Sequence, residues 1–180
     1  AASDVYKRQI QYGVEPGVFK RFCEKAQRPG PSGTEDFGFN EYPSIWKVSL
    51  WGTGDNPVRS ECLEQGHIRI GWDGYGKDIT DETDFADGGS AVLNAFMNRM
   101  KIGDIVFSCY SSTTIDAVGV VTGEYEWHDE YGTMKRLRKV KWIVKDIREN
   151  ILSINGGVTM TRASVYRLGK VSLDDVYQII

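Results

Sequence analysis

Two strand-forming runs on either side of Ser111–Thr114 most constrain how this chain folds. DIVFSCY over 104–110 and DAVGVVTGEY over 116–125 are rich in β-branched and aromatic residues, and Ser-Ser-Thr-Thr stands between them. That pattern predicts a β-hairpin. A lone hairpin is marginal in water, so further strands must join it. LRKVKWIV over 137–144 alternates, with Arg138, Val140, Trp142 and Val144 on one side and Leu137, Lys139, Lys141 and Ile143 on the other. The first set is mostly apolar and is expected to face the core. Two earlier segments also read as strands, SIWKVSLW over 44–51 and HIRIGW over 67–72. Strands drawn from distant sequence with helices between them predict an α+β fold, a small curved mixed sheet or open barrel flanked by helices.

The helices announce themselves by their ends. Asn56 is placed to cap a helix that has Pro57 in its first turn and stops at Gly66. Ser90 is placed to cap a helix through Met100 with Val92, Leu93, Phe96 and Met100 as its apolar stripe. Ser172 caps a final helix. The tail between offers a helix near 147–154 and a strand near 158–160. The stretch 73–89 is acidic and glycine-rich and reads as a mobile loop. Residues 1–9 (AASDVYKRQ) look like a non-native leader, 16–27 reads as a short helix, and the prolines and glycines of 28–43 read as a linker. The expected organisation is therefore a leader over 1–9, a helix and linker over 10–43, and one compact domain over 44–180.

The chemistry-bearing residues are sparse. The two histidines, His67 and His128, belong to no HExxH or HxH pattern, and the three cysteines, Cys23, Cys62 and Cys109, form no CxxC pair. Neither a metal nor a cofactor is expected, and thiols of this kind suit a reducing, cytoplasmic setting. Cys62 and Cys109 read as small core residues. No nucleophile elbow, phosphate loop or dinucleotide fingerprint is present. No run approaches the ~20 apolar residues of a membrane span. A net charge of −3 excludes coating of nucleic acid by bulk electrostatics. One local basic run stands out, however: Lys135, Arg136, Arg138, Lys139, Lys141, Lys145 and Arg148. It is either a solvated face or a phosphate-holding wall.

Aromatic residues are abundant, with five tryptophans and nine tyrosines. Trp51, Trp72 and Tyr110 end predicted strands, as do Tyr125 and Trp127. Rings at strand ends stand at a rim, where flat apolar walls suit a nucleobase, and each stacked base is worth roughly 1–3 kcal/mol. The same rings could equally fill a core, and Trp46 and Trp142, on the apolar sides of their strands, are assigned there. Trp72 is the strongest wall candidate, because Gly71 and Asp73-Gly74 give its ring little local cover.

Several of these segments resemble one superfamily. WKVS at 46–49 resembles the first strand of EVE and YTH domains, and the run ending IGW at 72 resembles the YTH strand that closes with a cage tryptophan. GDIVFSCY…AVGVVTG resembles the paired strands that follow, and KVKWI at 139–143 the later strand with an inward tryptophan. The likeness spans about 44–146. It implies a PUA-like fold, and it extends to the amino-terminal modules of McrB-type, modification-dependent restriction systems. Carried onto this sequence, Trp72 is the first cage wall, and Trp127 the second, with Tyr125 or Tyr131 as substitutes. Ser49, Leu50 and Trp51 form the floor. The Ser-Asn pair typical of YTH domains and the Lys-Ser-Glu-Pro signature of EVE domains are both replaced here.

The resulting expectation is a non-enzymatic reader of a modified base in DNA, N6-methyladenine or a 5-modified cytosine, flipped from its stack into an aromatic cage. Base contacts are expected from Trp72, Trp127, Trp51, Ser49, Leu50, Tyr125, Asp73 and Tyr110. Phosphate contacts are expected from Lys135, Arg136, Arg138 and Lys139. Any NTPase or nuclease would reside on another domain or subunit. The alternatives are an RNA-binding PUA or ASCH-like module, an enzyme using the acidic loop, and a protein-interaction domain.

Overall fold

The computed structural model describes residues 43–50, 56–85 and 89–180. The expected leader, the helix over 16–27, most of the linker, Trp51 and positions 86–88 of the acidic loop lie outside them. Seven strands form one mixed sheet: β1 (Ile45–Val48), β2 (His67–Ile70), β3 (Ile105–Cys109), β4 (Thr114–Val121), β5 (Glu126–Trp127), β6 (Arg136–Asn150) and β7 (Val165–Arg167). The order is β2-β6-β4-β3-β1-β7, with β5 also paired to β6. β1 and β3 run parallel, and the other pairings described are antiparallel. Helices α1 (Pro57–Gln65), α2 (Ser90–Asn94) and α3 (Leu173–Ile179) flank the sheet. The α+β architecture is the expected one. Irregularities at Ile115/Ala117, Val118/Gly119 and Ser108/Cys109 add curvature.

A core lies on each face. Alternation along β1 and β3 sends Trp46, Val48 and Val106 to a cluster with Cys62 of α1 and Leu93 and Phe96 of the α2 region. Ile45, Ile105, Phe107 and Cys109 join Leu173 and Val176 of α3 instead. All four residues of β1 are therefore buried, where one covered face alone would have left alternate residues exposed. Each fully buried large side chain contributes about 1.5–3 kcal/mol. Asp104 ties the strand starts together. Its carboxylate accepts the Trp46 indole N–H at 2.8 Å and the backbone N–H of Ser44 and of Lys101 at 3.0 Å. Gly119 lies directly beneath β6, where an added Cβ would come within 2.5 Å of Val140 Cγ1 and 2.7 Å of Trp142 Cε3.

The predicted caps at Asn56, Gly66 and Ser172 are present, whereas Ser90 is itself the first helical residue, after Gly89, and its side chain makes no capping bond. Asn56 Oδ1 accepts the Arg59 N–H at 2.7 Å, and Gly66, at φ 73°, closes α1 by donating to the Cys62 carbonyl. Ser172 and Asp175 form a reciprocal capping box at α3. Three tail and helix expectations change. The segment from Ser90 is α-helical only to Asn94 and then widens into a π-helical turn, Ala95–Arg99. The helix expected near 147–154 is instead the continuation of β6, since the start of β4 takes its partners there (Thr114 with Asn150, Ile115 with Glu149), leaving a single 3₁₀ turn, Ile151–Ser153. The last strand is Val165–Arg167 beside β1, rather than 158–160.

Candidate nucleic-acid interface

Beyond β2, the inward-facing position after Ile70 is Trp72. The backbone leaves that line: Trp72 takes φ 61°, a left-handed conformation that is strained for a bulky residue, and opens a short 3₁₀ turn, Asp73–Tyr75. The indole is partly buried rather than sealed in the core. Asp73 locks the turn. Its carboxylate accepts the Met134 N–H at 2.8 Å and the Lys135 N–H at 3.0 Å, and Met134 is itself left-handed at φ 55°. Asp73 thus joins two strained residues instead of presenting a free carboxylate.

Arg136 completes the clamp from below. Its side chain has no exposure; Nη1 donates to the Gly71 carbonyl at 3.1 Å, and Nη2 donates to the Gly76 carbonyl. The Asp73 carboxylate is 3.6 Å away. Burial pulls the Arg136 pKa below the ordinary arginine value, with Tyr125 and Asp73 opposing. On β5, paired to β6 opposite Arg136, the Trp127 ring lies 5.0 Å from that guanidinium and 5.5 Å from Lys135 Nζ. The Trp127 indole N–H donates to Asp129 at 2.9 Å. Tyr125 rests on the same apolar cluster as Trp72 and donates its hydroxyl to the Lys77 carbonyl at 2.6 Å. Burial raises its pKa. Asp73, Tyr125 and Trp127 are therefore gathered around one buried arginine, which also holds the Gly71 carbonyl next to Trp72.

The loop that carries Trp127 is pinned by residues that the sequence reading did not single out. Arg69 stacks 3.7 Å from the Tyr131 ring centroid, donates to the Thr133 and Met134 carbonyls at 3.0 Å, and pairs with Glu61 of α1 at 2.6 Å. The His67 and His128 rings lie 6.4 and 5.8 Å from Tyr131, which is engaged in this packing. Glu61 also bonds His67 at 2.9 Å. Burial outweighs Glu61 and lowers the His67 pKa, whereas bonds to Glu130 and Glu126 raise that of His128. The signal available in sequence was Arg69 set between Ile68 and Ile70 on a predicted strand.

Several expected contacts are corrected. Arg136 and Arg138 cannot meet phosphate, because both are buried with their donors on carbonyls. Arg138, 1% exposed, donates to Phe96 and Met97 at the widened π turn and to Gly123. Its place in the inward set of β6 was the correct reading. Leu50, expected in the floor, is fully buried in the apolar cluster against which Trp72 and Tyr125 pack, and so has no surface to offer a base. Tyr110 lies beside Arg148, twelve residues along β6 from Arg136, up to roughly 40 Å away at the usual rise of a strand. It is not part of the Trp72 group. Ser49 is partly buried, and its N–H donates to the Ser164 carbonyl. Lys135 and Lys139 remain at the surface, within 3.2 Å of Asp129 and 3.6 Å of Glu126 respectively. Trp46, Cys62 and Cys109 are core residues as expected, while Trp142 is partly buried and donates to the Cys62 carbonyl.

A family model described as a domain of unknown function (DUF8426) matches residues 46–169, more than half of the chain. The chain belongs to this family. The DUF8426 match runs from β1 past β7, taking in Trp72, Tyr125, Trp127 and Arg136, and stops short of α3. No curated protein matches the chain. Among solved structures, the crystal structure of the Mmi1 YTH domain is similar at 10% identity and a TM-score of 0.42, covering 81% of this chain and 90% of that one. Among the described residues, no helix is long and apolar enough to cross a membrane.

Proposed function

We propose that this domain reads a modified base in DNA without catalysing a reaction, and that it serves as the targeting module of a modification-dependent restriction system. The observation that carries the reading is Trp72. A left-handed backbone at a non-glycine residue costs on the order of 1–3 kcal/mol and persists only where its surroundings enforce it. Asp73 and Arg136 hold the flanking turn, and Trp72 packs, partly buried, against the same apolar cluster as Tyr125. A partly buried indole held on a strained backbone has a ready use in stacking on an extruded base, where it offsets the few kcal/mol of unstacking. The resemblance of 44–146 to EVE, YTH and McrB-type modules points the same way. In this reading Trp72 and Trp127 are the walls, Tyr125 and Ser49 supply polar edges, and Lys135 and Lys139 hold phosphate.

The test is binding to duplex and single-stranded DNA oligonucleotides that differ in one base, carrying N6-methyladenine, a 5-modified cytosine or the plain base, with RNA of the same sequence alongside. One modified DNA should bind more tightly than its plain counterpart, and Trp72→Ala should abolish that preference while leaving weak, salt-sensitive binding. Equal discrimination by wild type and Trp72→Ala would refute the pocket. A preference for RNA would refute the DNA assignment.

A further inference from the structure

Far along β6 from Trp72, a bulge interrupts the pairing of β4 with β6. Ile115 pairs with Glu149 and Ala117 with Lys145, so Asp116 alone opposes the three residues Asp146, Ile147 and Arg148. Asp146 takes φ 58° within this bulge, a conformation that L side chains rarely adopt. The bulge borders a cleft of about 340 Å³ lined by Arg59, Tyr110, Asp116, Asp146 and Arg148 among others. That is the lower range of small-ligand sites. Its floor is fixed: Arg59, buried, donates to Asp116 Oδ2 and to the Cys109 carbonyl at 2.5 Å, and to Ser108 Oγ at 3.1 Å. The Arg59 and Arg148 guanidiniums lie 5.5 and 5.2 Å from the Tyr110 ring centroid.

The charges define what fits. Two guanidiniums and two carboxylates sum to zero, so a bare anion gains little and meets two carboxylates. Arg59 and Asp116 neutralise one another at the floor. Among the described residues neither Asp146 nor Arg148 has an ion-pair partner, and both are exposed. The cleft therefore offers a guanidinium fork and a carboxylate two residues apart, beside an aromatic ring. A flat, neutral heterocycle with an acceptor pair for the fork and adjacent N–H donors for the carboxylate matches this set. Guanine has both, with O6 and N7 accepting on one edge and ring and exocyclic N–H groups donating on the next.

We propose that this cleft binds a guanine base, as a second base site independent of the Trp72 cage. Guanosine, adenosine, cytidine and inorganic phosphate would each be titrated into the full chain, followed by calorimetry and by NMR shifts of Tyr110. Guanosine should bind about tenfold or more tightly than the other nucleosides, the low end of what a bidentate contact discriminates. Asp146→Asn and Arg148→Ala should each weaken guanosine by at least that factor, while Trp72→Ala leaves it unchanged. Asparagine tolerates the left-handed backbone, so Asp146→Asn keeps the bulge. Adenosine binding as well as guanosine, phosphate competing with it, or no nucleoside binding would overturn the proposal. So would guanosine binding that survives Asp146→Asn. Loss of guanosine with Trp72→Ala alone would assign the base to the other site and likewise overturn it.

Discussion

Replacing Arg136 with methionine distinguishes a buried clamp from a phosphate contact. Methionine keeps the apolar stem and removes every donor. Two hydrogen bonds from a charged donor disappear, to the carbonyls of Gly71 and Gly76, each worth about 1.5–3 kcal/mol. Part of that is offset, because the wild type bears the desolvation of a guanidinium whose Nε has no partner. A net loss of about 2–4 kcal/mol follows. With a urea dependence of roughly 1–3 kcal/mol per molar, the unfolding midpoint should fall by about 0.7 M or more. Tryptophan fluorescence follows the transition. A surface phosphate contact makes the opposite prediction: stability within ~0.5 kcal/mol of wild type, and a salt slope of DNA binding shallower by about 0.9. Unchanged unfolding together with that shallower slope would refute the clamp. Lys139→Ala, at a side chain 65% exposed, should behave in the second way.

Gly119→Ala should be costly for a different reason, since its Cβ collides with Val140 and Trp142; overpacking of this kind costs about 1–3 kcal/mol, or several degrees in Tm by calorimetry. The two histidines should act on stability in opposite directions with pH. His67 has a lowered folded pKa, so its contribution is complete above the unfolded value of 6.5 and is lost as pH falls below it, through the folded pKa. His128 has a raised folded pKa, so its contribution is complete below 6.5 and is lost as pH rises through the folded value. Urea midpoints between pH 5 and 8 should therefore fall less steeply on the acid side in His67→Gln, and lose stability below neutrality in His128→Gln; identical pH profiles for both variants and wild type would count against these assignments.

Much of the fold was legible because it is local. A cap needs one side chain and a backbone three residues away, so Asn56, Gly66 and Ser172 could be read directly. The hairpin between β3 and β4 and the inward set of β6 follow from a period of two. The end of β6 was not legible. Residues from 147 on carry no strong strand pattern and pair only because β4 offers its edge there. Trp72 could be recognised from its glycine neighbours, but its left-handed turn depends on Asp73 meeting the backbone N–H groups of Met134 and Lys135.

By itself the sequence determined most of the element types, the caps at Asn56, Gly66 and Ser172 and the α+β class, because each rests on neighbours within a turn or a strand period. Tertiary structure alone decided what the charged residues do. Arg136 and Arg138 look identical to Lys135 and Lys139 in a basic run. What separates them is whether carbonyls at positions 71, 76, 96 and 97 arrive to take their donors. A buried arginine is tolerated only where such acceptors converge, and that convergence spans from about forty to more than sixty residues of chain. The same long-range pairing placed Tyr110 far from Trp72 and set it between Arg59 and Arg148 instead.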